Sequence, residues 1–371
     1  MSTVESPPAR AIDRSHQTRD TTPGGFAGLR ESATFAAWSR SVTWALVCSA
    51  AALVAVVLEV LARGGDRLHL AFAQPLFAAN KIAGIPHYLF AVLFLMTSRS
   101  FRAPATRTWF ALLAALGVAL AVVYQGLGGS VNPILHLAFA LYFIVHVFRD
   151  EAVFYLAGGD SPAVDRRVQS RSIHLVGAMI VLSLVALQWP GFLFFLETRG
   201  LLPKDDLTRL LFPTSWPITA RFASYVVPAV AFNLLAARWV ATRYPGGWRA
   251  FLREQRALLA VYVGDAVLVM LLPLIGTMLL FFVLVHFVAW YRHASERLPR
   301  SAAAPRTWWQ SVRTTRPGFR AAYLSAAGCV FALLLLARYL WPESALLGAA
   351  LSNRTFESLT IVHVTLSWVP R

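Results

Sequence analysis

Histidine is the residue type that offers most of the metal-binding and catalytic chemistry in this sequence. The chain has nine histidines and two cysteines, so imidazole nitrogen, with little thiolate sulfur, is the available metal ligand. Ionisable side chains in membrane segments are costly and usually face a polar interior, which makes each one a candidate functional residue. The histidines within or at the ends of long apolar segments are His87, His136, His146, His174, His286, His293 and His363.

Most of these histidines are expected to gather near one face of the membrane. His146 and Asp150 are four residues apart, so both side chains lie on one face of a helix. His286 and His293 are seven apart, which also places them on a common face, roughly 10 Å apart along the axis. The predicted metal ligands are His146, Asp150, His174, His286, His293 and His363.

Two further carboxylates are predicted to be catalytic: Glu151 as a metal ligand or as a partner of one, and Asp265 as a proton-transfer group or in an ion pair with Arg221 or Arg238. Glu151 follows Asp150 directly, and Asp265 lies deep in another apolar segment. A lone carboxylate in such a place is expected to be protonated or paired. His87 and His136 are expected in the outer halves of their segments, where three roles are open: a second cofactor site, the lining of a substrate path, or packing between helices.

Neutral imidazoles combined with carboxylates are the ligand set of non-haem iron and of other divalent metals. Helical bundles bind paired irons with such side chains projecting inward from several helices. The first hypothesis is therefore a metal-dependent membrane oxidoreductase, of the hydroxylase, desaturase or oxygenase type, acting on a lipid or isoprenoid-like substrate. A proton-coupled transporter that uses the histidines and Asp265 is the alternative, and a b-type haem protein is a third reading. The sequence contains no nucleophile elbow, HExxH motif, P-loop or dinucleotide-binding glycine motif.

The elements that position these residues are predicted from composition. Hydrophobic residues make up 57% of the 371 residues and charged residues 14%, and the mean hydropathy is +0.57. Soluble domains average about a quarter charged residues, so a soluble fold is excluded. The expected fold is an all-α, polytopic bundle of membrane-spanning helices.

The chain divides into a polar tail, residues 1–40, and a single integral-membrane domain, residues 41–371. A membrane helix needs about 20 mostly apolar residues. The stretch 257–292 is too long for one span and has Pro273 and Gly276 near its middle, so it is predicted to cross twice. The total is about ten spans, or nine if residues 355–369 do not cross. The predicted spans are 42–61, 82–97, 109–127, 134–155, 174–189, 222–240, 257–272, 274–292, 321–341 and 355–369. A start nearer Phe77 is the alternative for the second span, with Lys81 reaching to the interface.

The net charge of +16 predicts an orientation. Arginine and lysine concentrate in loops on the cytoplasmic side of membrane proteins. Sorting the basic loops by this rule places both termini in the cytoplasm, in a plasma or inner membrane. The basic surface is accordingly assigned to membrane lipids and not to nucleic acid, and the other expected partner is a hydrophobic small molecule.

Overall fold

A computed structural model describes residues 68–129, 132–158, 164–202, 206–271, 278–298 and 307–370. The polar tail and the first predicted span, 42–61, lie outside the described residues. Among the described residues there are helices and turns and no β strand, which confirms the all-α prediction. The helices are α1 Leu68–Met96, α2 Pro104–Gly126, α3 Pro133–Gly158, α4 Arg166–Thr198, α5 Asp206–Leu211, α6 Ile218–Arg243, α7 Gly247–Glu254, α8 Arg256–Leu271, α9 Met278–Glu296, α10 Trp308–Thr314, α11 Arg316–Leu335, α12 Ala345–Ala350 and α13 Asn353–Leu366.

Five of the described segments are long and apolar enough to cross a membrane. These segments are Leu76–Met96, Pro104–Gly126, Arg166–Thr198, Ile218–Arg243 and Arg316–Leu340. They differ in how much of their apolar surface is covered by other helices. In α1, 44% of the most apolar window is buried, against 11% in α6. Helix α1 is therefore an inner element, whereas α6 presents most of its apolar surface outward.

Helix α1 begins earlier than the sequence predicts. The predicted span starts at residue 82, but the helix runs from Leu68 to Met96. Pro86, expected near the helix start, therefore lies well inside the helix. Neighbouring helices in a membrane bundle can compensate for the backbone hydrogen bond that proline removes. The earlier start moves His87 from the outer end of the segment toward its middle.

The stretch predicted to cross twice contains two helices, α8 and α9, that pack against each other. Pro273 and Gly276, the predicted turn, lie outside the described residues. Helix α13 covers the last predicted span and has 14 residues, fewer than the roughly 20 that a full crossing requires. Its N-terminus is capped by the Ser352 hydroxyl, which accepts a hydrogen bond from the Thr355 backbone N–H.

The C-terminal helix packs mainly against α2 and also contacts α1 and α3. Gly117 of α2 allows this approach, because a Cβ atom there would lie 3.0 Å from the Val362 backbone. Helix α1 in turn packs closely on α9. Four helices, α1, α3, α9 and α13, thus surround one region of the core, and each contributes one buried histidine to it.

Candidate metal centre

Three fully buried histidines converge in the core of the bundle. His87 of α1, His146 of α3 and His286 of α9 each offer a ring nitrogen, and the three ligand atoms all lie within 4.8 Å of one another. Each of the three side chains is 0% exposed. The residues come from distant parts of the sequence, so only the packing of the helices brings them together.

His363 of α13 completes a group of four rings, which we call the histidine cluster. Its Nε2 atom lies 2.9 Å from Nε2 of His87, within hydrogen-bonding distance. The rings form a closed cycle, with His87 and His286 centroids 5.3 Å apart and His286 and His146 centroids 5.0 Å apart. The cycle closes through His363, whose centroid is 5.3 Å from that of His146 and 4.5 Å from that of His87.

The ring nitrogens of the cluster are incompletely hydrogen-bonded. Neither nitrogen of His286 has a hydrogen-bond partner among the described residues, and the same holds for Nδ1 of His87. A buried polar group left without a partner costs about 1–3 kcal/mol. Such groups in a native core call for an ion, a water or a ligand.

Aromatic side chains enclose the cluster. Trp290 and Phe287 lie 4.4 Å and 5.1 Å from the His87 ring, edge-on and tilted respectively. Phe143 packs edge-on against His286 at 5.7 Å. Tyr88 lies 4.7 Å from His363 and shares a 2.6 Å hydrogen bond with the Thr360 hydroxyl. The site is therefore polar at its centre and apolar around it.

A glycine allows α1 and α9 to come close enough to form the cluster. A Cβ atom on Gly84, one turn before His87, would lie 2.6 Å from Cε2 of Phe287. This separation is shorter than atoms tolerate, so any larger residue would displace the aromatic ring or the helix. Gly84 thus fixes the spacing between the helix of His87 and the helix of His286.

Polar residues of α3 and the C-terminal segment border the cluster on the His146 side. Nδ1 of His146 lies 3.1 Å from the Ser367 hydroxyl, and its Nε2 lies 3.6 Å from Oδ2 of Asp150. Arg149 donates to both the hydroxyl and the carbonyl oxygen of Ser367, at 3.1 and 2.7 Å. The Arg149 guanidinium also stacks over Trp368, 4.2 Å from the ring centroid.

The structure brings together only part of the predicted ligand set. His146, His286 and His363 lie in the cluster, and Asp150 borders it. His293 is buried away from them in a stack with Phe154, with ring centroids 4.4 Å apart. His174 lies in a surface groove with Arg171 and Trp239, and its Nδ1 hydrogen-bonds with the Ser170 carbonyl oxygen at 2.7 Å.

His87 and His136, which were predicted in the outer halves of their segments, also lie in different parts of the structure. His87 belongs to the cluster, although its position in the predicted span placed it in a different group. His136 packs near Phe139, with ring centroids 6.4 Å apart. Gly84, three residues before His87, was the available signal of a close helix contact at this point.

The two predicted catalytic carboxylates lie in a second buried region. Glu151 of α3 and Asp265 of α8 are each 2% exposed. Tyr262, three residues before Asp265 on α8, donates a 3.2 Å hydrogen bond from its hydroxyl to the Phe148 carbonyl oxygen of α3. Oδ2 of Asp265 has no hydrogen-bond partner among the described residues.

Fold and site together define a class: a helical membrane protein with a polyhistidine cluster in its core. Comparison of the chain with protein-family models, with curated proteins and with solved structures found no match. The functional conclusion therefore depends on the chemistry of the cluster itself.

Proposed function

We propose that this chain is an integral-membrane, metal-dependent oxidoreductase that acts on a lipid or isoprenoid-like substrate. His87, His146 and His286 are the proposed metal ligands, with His363 as the fourth. The observation that carries the proposal is the convergence of three buried ligand atoms within 4.8 Å of one another. Incomplete hydrogen bonding at His286 supports it, because a metal ion would satisfy the lone pair of one of its ring nitrogens.

The spacing of the nitrogens suits one metal ion. Metal–imidazole bonds of about 2.0–2.1 Å place two ligands of a tetrahedral ion about 3.3–3.4 Å apart. The His87 and His363 Nε2 atoms, 2.9 Å apart, need to separate only slightly to reach this distance. Small rotations of the other rings toward the centre complete the site.

The types of ligand atom at the site limit the choice of metal. Imidazole nitrogen suits iron, copper, zinc and nickel. Non-haem iron is our first proposal, because the Asp150 carboxylate beside His146 adds the oxygen donor that accompanies histidine in many iron sites. A redox-active ion would supply electron transfer and oxygen chemistry to the site. The chain's own contribution is to hold four imidazoles in a space walled by Phe143 and Phe287, where bulk water is excluded.

The location of the cluster favours a lipid-soluble substrate. The four histidine helices lie inside an apolar bundle, and lipophilic molecules can reach such a site from the bilayer. Glu151 and Asp265 are the proposed proton-transfer residues, because they are buried on the adjoining helices α3 and α8. The remaining proposed partners are membrane lipids.

We further propose a topology of about ten spans with both termini in the cytoplasm, in a plasma or inner membrane. In this arrangement α1, α3, α9 and α13 all run from the outer to the inner side. The basic segments after α1, α3 and α9 then lie inside, as expected for cytoplasmic loops. If the short α13 does not cross, nine spans remain and the segment that follows α11 lies on the outer side.

The proposal is tested by metal analysis followed by a product assay. Detergent-purified protein should contain about one iron, or another redox-active metal, per chain. Aerobic incubation with a reductant and an extract of membrane lipids and isoprenoids should yield products that differ by one oxygen or by two hydrogens in mass spectrometry. Protein without a bound metal, or metal-loaded protein with no product, would overturn the metal or the oxidoreductase part respectively.

A proton-coupled transporter is the second candidate. It is favoured by Asp265, a buried carboxylate with a ring hydroxyl nearby and an unpartnered oxygen among the described residues. The discriminating result is proton-dependent flux in proteoliposomes that is lost in Asp265→Asn and does not require metal.

The geometry weighs against a b-type haem at the cluster. Two imidazoles on opposite sides of one haem iron have nitrogens about 4 Å apart, given bonds of about 2 Å. The His87 and His363 nitrogens are 2.9 Å apart, and the rings of His286 and Phe287 pack directly against His87. The absence of a Soret band in the purified protein would remove this alternative.

A further inference from the structure

Ser367 is placed to control the protonation pattern of one cluster histidine. It caps the C-terminal end of α13, four residues after His363. Its hydroxyl oxygen lies 2.6 Å from the Val364 carbonyl oxygen, 3.1 Å from a guanidinium nitrogen of Arg149 and 3.1 Å from Nδ1 of His146.

The direction of these hydrogen bonds follows from counting protons. A hydroxyl group donates one hydrogen bond and accepts up to two. The Val364 carbonyl oxygen can only accept, and a 2.6 Å separation of two oxygens requires a proton between them. The Ser367 proton therefore points to Val364. Because arginine can only donate, the serine oxygen accepts from Arg149, and its remaining lone pair faces His146.

His146 must consequently donate through Nδ1. In a neutral imidazole, one nitrogen carries the proton and the other carries the lone pair. A proton on Nδ1 leaves the lone pair on Nε2, which is also the nitrogen 3.6 Å from the Asp150 carboxylate. A metal ion bound to Nε2 would lie beside the Asp150 carboxylate, whose negative charge would stabilise it.

We infer that Ser367, held in place by Arg149, is the positioning residue that selects the tautomer of His146, so that Nε2 binds the metal. The inference rests on the proposed metal site. Metal-bound histidines usually donate their second ring N–H to a carboxylate, a carbonyl or water, and loss of that partner typically lowers metal affinity 10- to 100-fold. In this protein a serine hydroxyl, itself fixed by an arginine, takes that role.

The inference assigns a function to the C-terminal end of the chain. Arg149 lies next to Asp150 on α3 and contacts both Ser367 and Trp368. Through this contact the end of α13 is attached to the helix that contributes His146. The segment after His363 is thus a part of the metal site.

The experiment compares Ser367→Ala with Ser367→Thr in the full-length protein in detergent. Titration of metal-free protein with Co²⁺, followed by absorption spectroscopy, gives the affinity of each variant. Ser367→Ala should bind Co²⁺ about 10- to 100-fold more weakly than wild type, and Ser367→Thr, which keeps the hydroxyl, should recover most of the loss. Ser358→Ala is the matched control, because Ser358 lies on the same helix and bonds to Arg354 and Gln125 instead.

A second measurement reads the tautomer directly and needs no variant at Ser367. Solid-state NMR of ¹⁵N-histidine-labelled, metal-free protein, with the His146 signals assigned by comparison with His146→Asn, should show a proton on Nδ1. A proton on Nε2 alone would overturn the inference, as would equal Co²⁺ affinity in wild type and Ser367→Ala. Either result leaves the metal site standing if wild type binds Co²⁺. Failure of wild type to bind any metal would overturn the proposed function and the role of Ser367 with it.

Discussion

His286 and His293 lie on the same face of α9, two turns apart, yet they meet different surroundings. His286 is bordered by the rings of His87 and His146, and both of its nitrogens lack partners among the described residues. His293 stacks on Phe154 with an interplanar angle of 25°, an arrangement in which an imidazole serves as a flat packing surface. A shared helix face therefore does not make a shared site, because the neighbouring helices at each level decide what a side chain contacts.

The largest predicted effect is the difference in bound metal between variants of these two histidines. His286→Ala should reduce bound metal from about one equivalent to less than about a tenth, because it removes a central ligand. His293→Ala should keep the metal content of wild type. Elemental analysis of both purified variants measures this. Equal metal loss in the two variants would mean that the two histidines belong to one site.

A second prediction concerns the approach of α1 to α9. Gly84→Ala places a Cβ atom 2.6 Å from Phe287 and should lower the free energy of unfolding by about 1–3 kcal/mol, typical of overpacking. Metal affinity should fall as well, because the helices of His87 and His286 move apart.

The control for this variant is Gly328→Ala in α11. No atom lies within 4 Å of a Cβ placed at Gly328, so replacing this helical glycine should stabilise the protein by about 0.5–1 kcal/mol. Thermal unfolding in detergent measures both variants. A Gly84→Ala protein as stable as Gly328→Ala would contradict the close helix contact.

A smaller effect is expected when Asp150, beside the cluster, is compared with the buried Asp265. Asp150→Asn should weaken metal binding about tenfold, the lower end of what loss of a neighbouring carboxylate causes at metal sites. Asp265→Asn should change it less than twofold, because Asp265 lies with Tyr262 outside the cluster. Co²⁺ titration of the two variants gives the ratio, and a larger loss in Asp265→Asn would place that carboxylate in the metal site.

The smallest effect is predicted for His174→Gln. This histidine lines a surface groove, and its Nδ1 already bonds to the Ser170 carbonyl oxygen. Metal content and product formation should both match wild type within error. A clear loss of either would show that His174 contributes to metal binding or to product formation.

The sequence predicted the fold class and part of the candidate site. Composition alone identified apolar helices, and the helical positions of His146, His286 and His363 marked them as buried polar residues. The positions at which α1 begins and α13 ends could not be predicted, because both depend on packing against other helices. His87 was separated from the other three because it lay in the outer half of a span predicted to begin at residue 82, whereas the helix begins at Leu68.

Long-range contacts account for the other differences. His293 has the spacing relative to His286 that a second ligand on the same helix would have, but spacing on one helix does not report which helix lies opposite. The role of Ser367 depends on the direction in which its hydroxyl proton points. That direction follows from the positions of Val364, Arg149 and His146, which only the structure gives. Such a residue has no sequence signal, since serine near a helix end is common for other reasons.

X-ray absorption spectroscopy of the purified, metal-containing protein tests the central claim most directly. The fine structure reports the number, type and distance of metal-bound atoms, and imidazole rings add a recognisable multiple-scattering pattern. The account predicts four imidazole nitrogens at about 2.0–2.1 Å, and three in His363→Ala. A metal bound by fewer imidazoles in the wild type, or a protein that carries no metal, would contradict it.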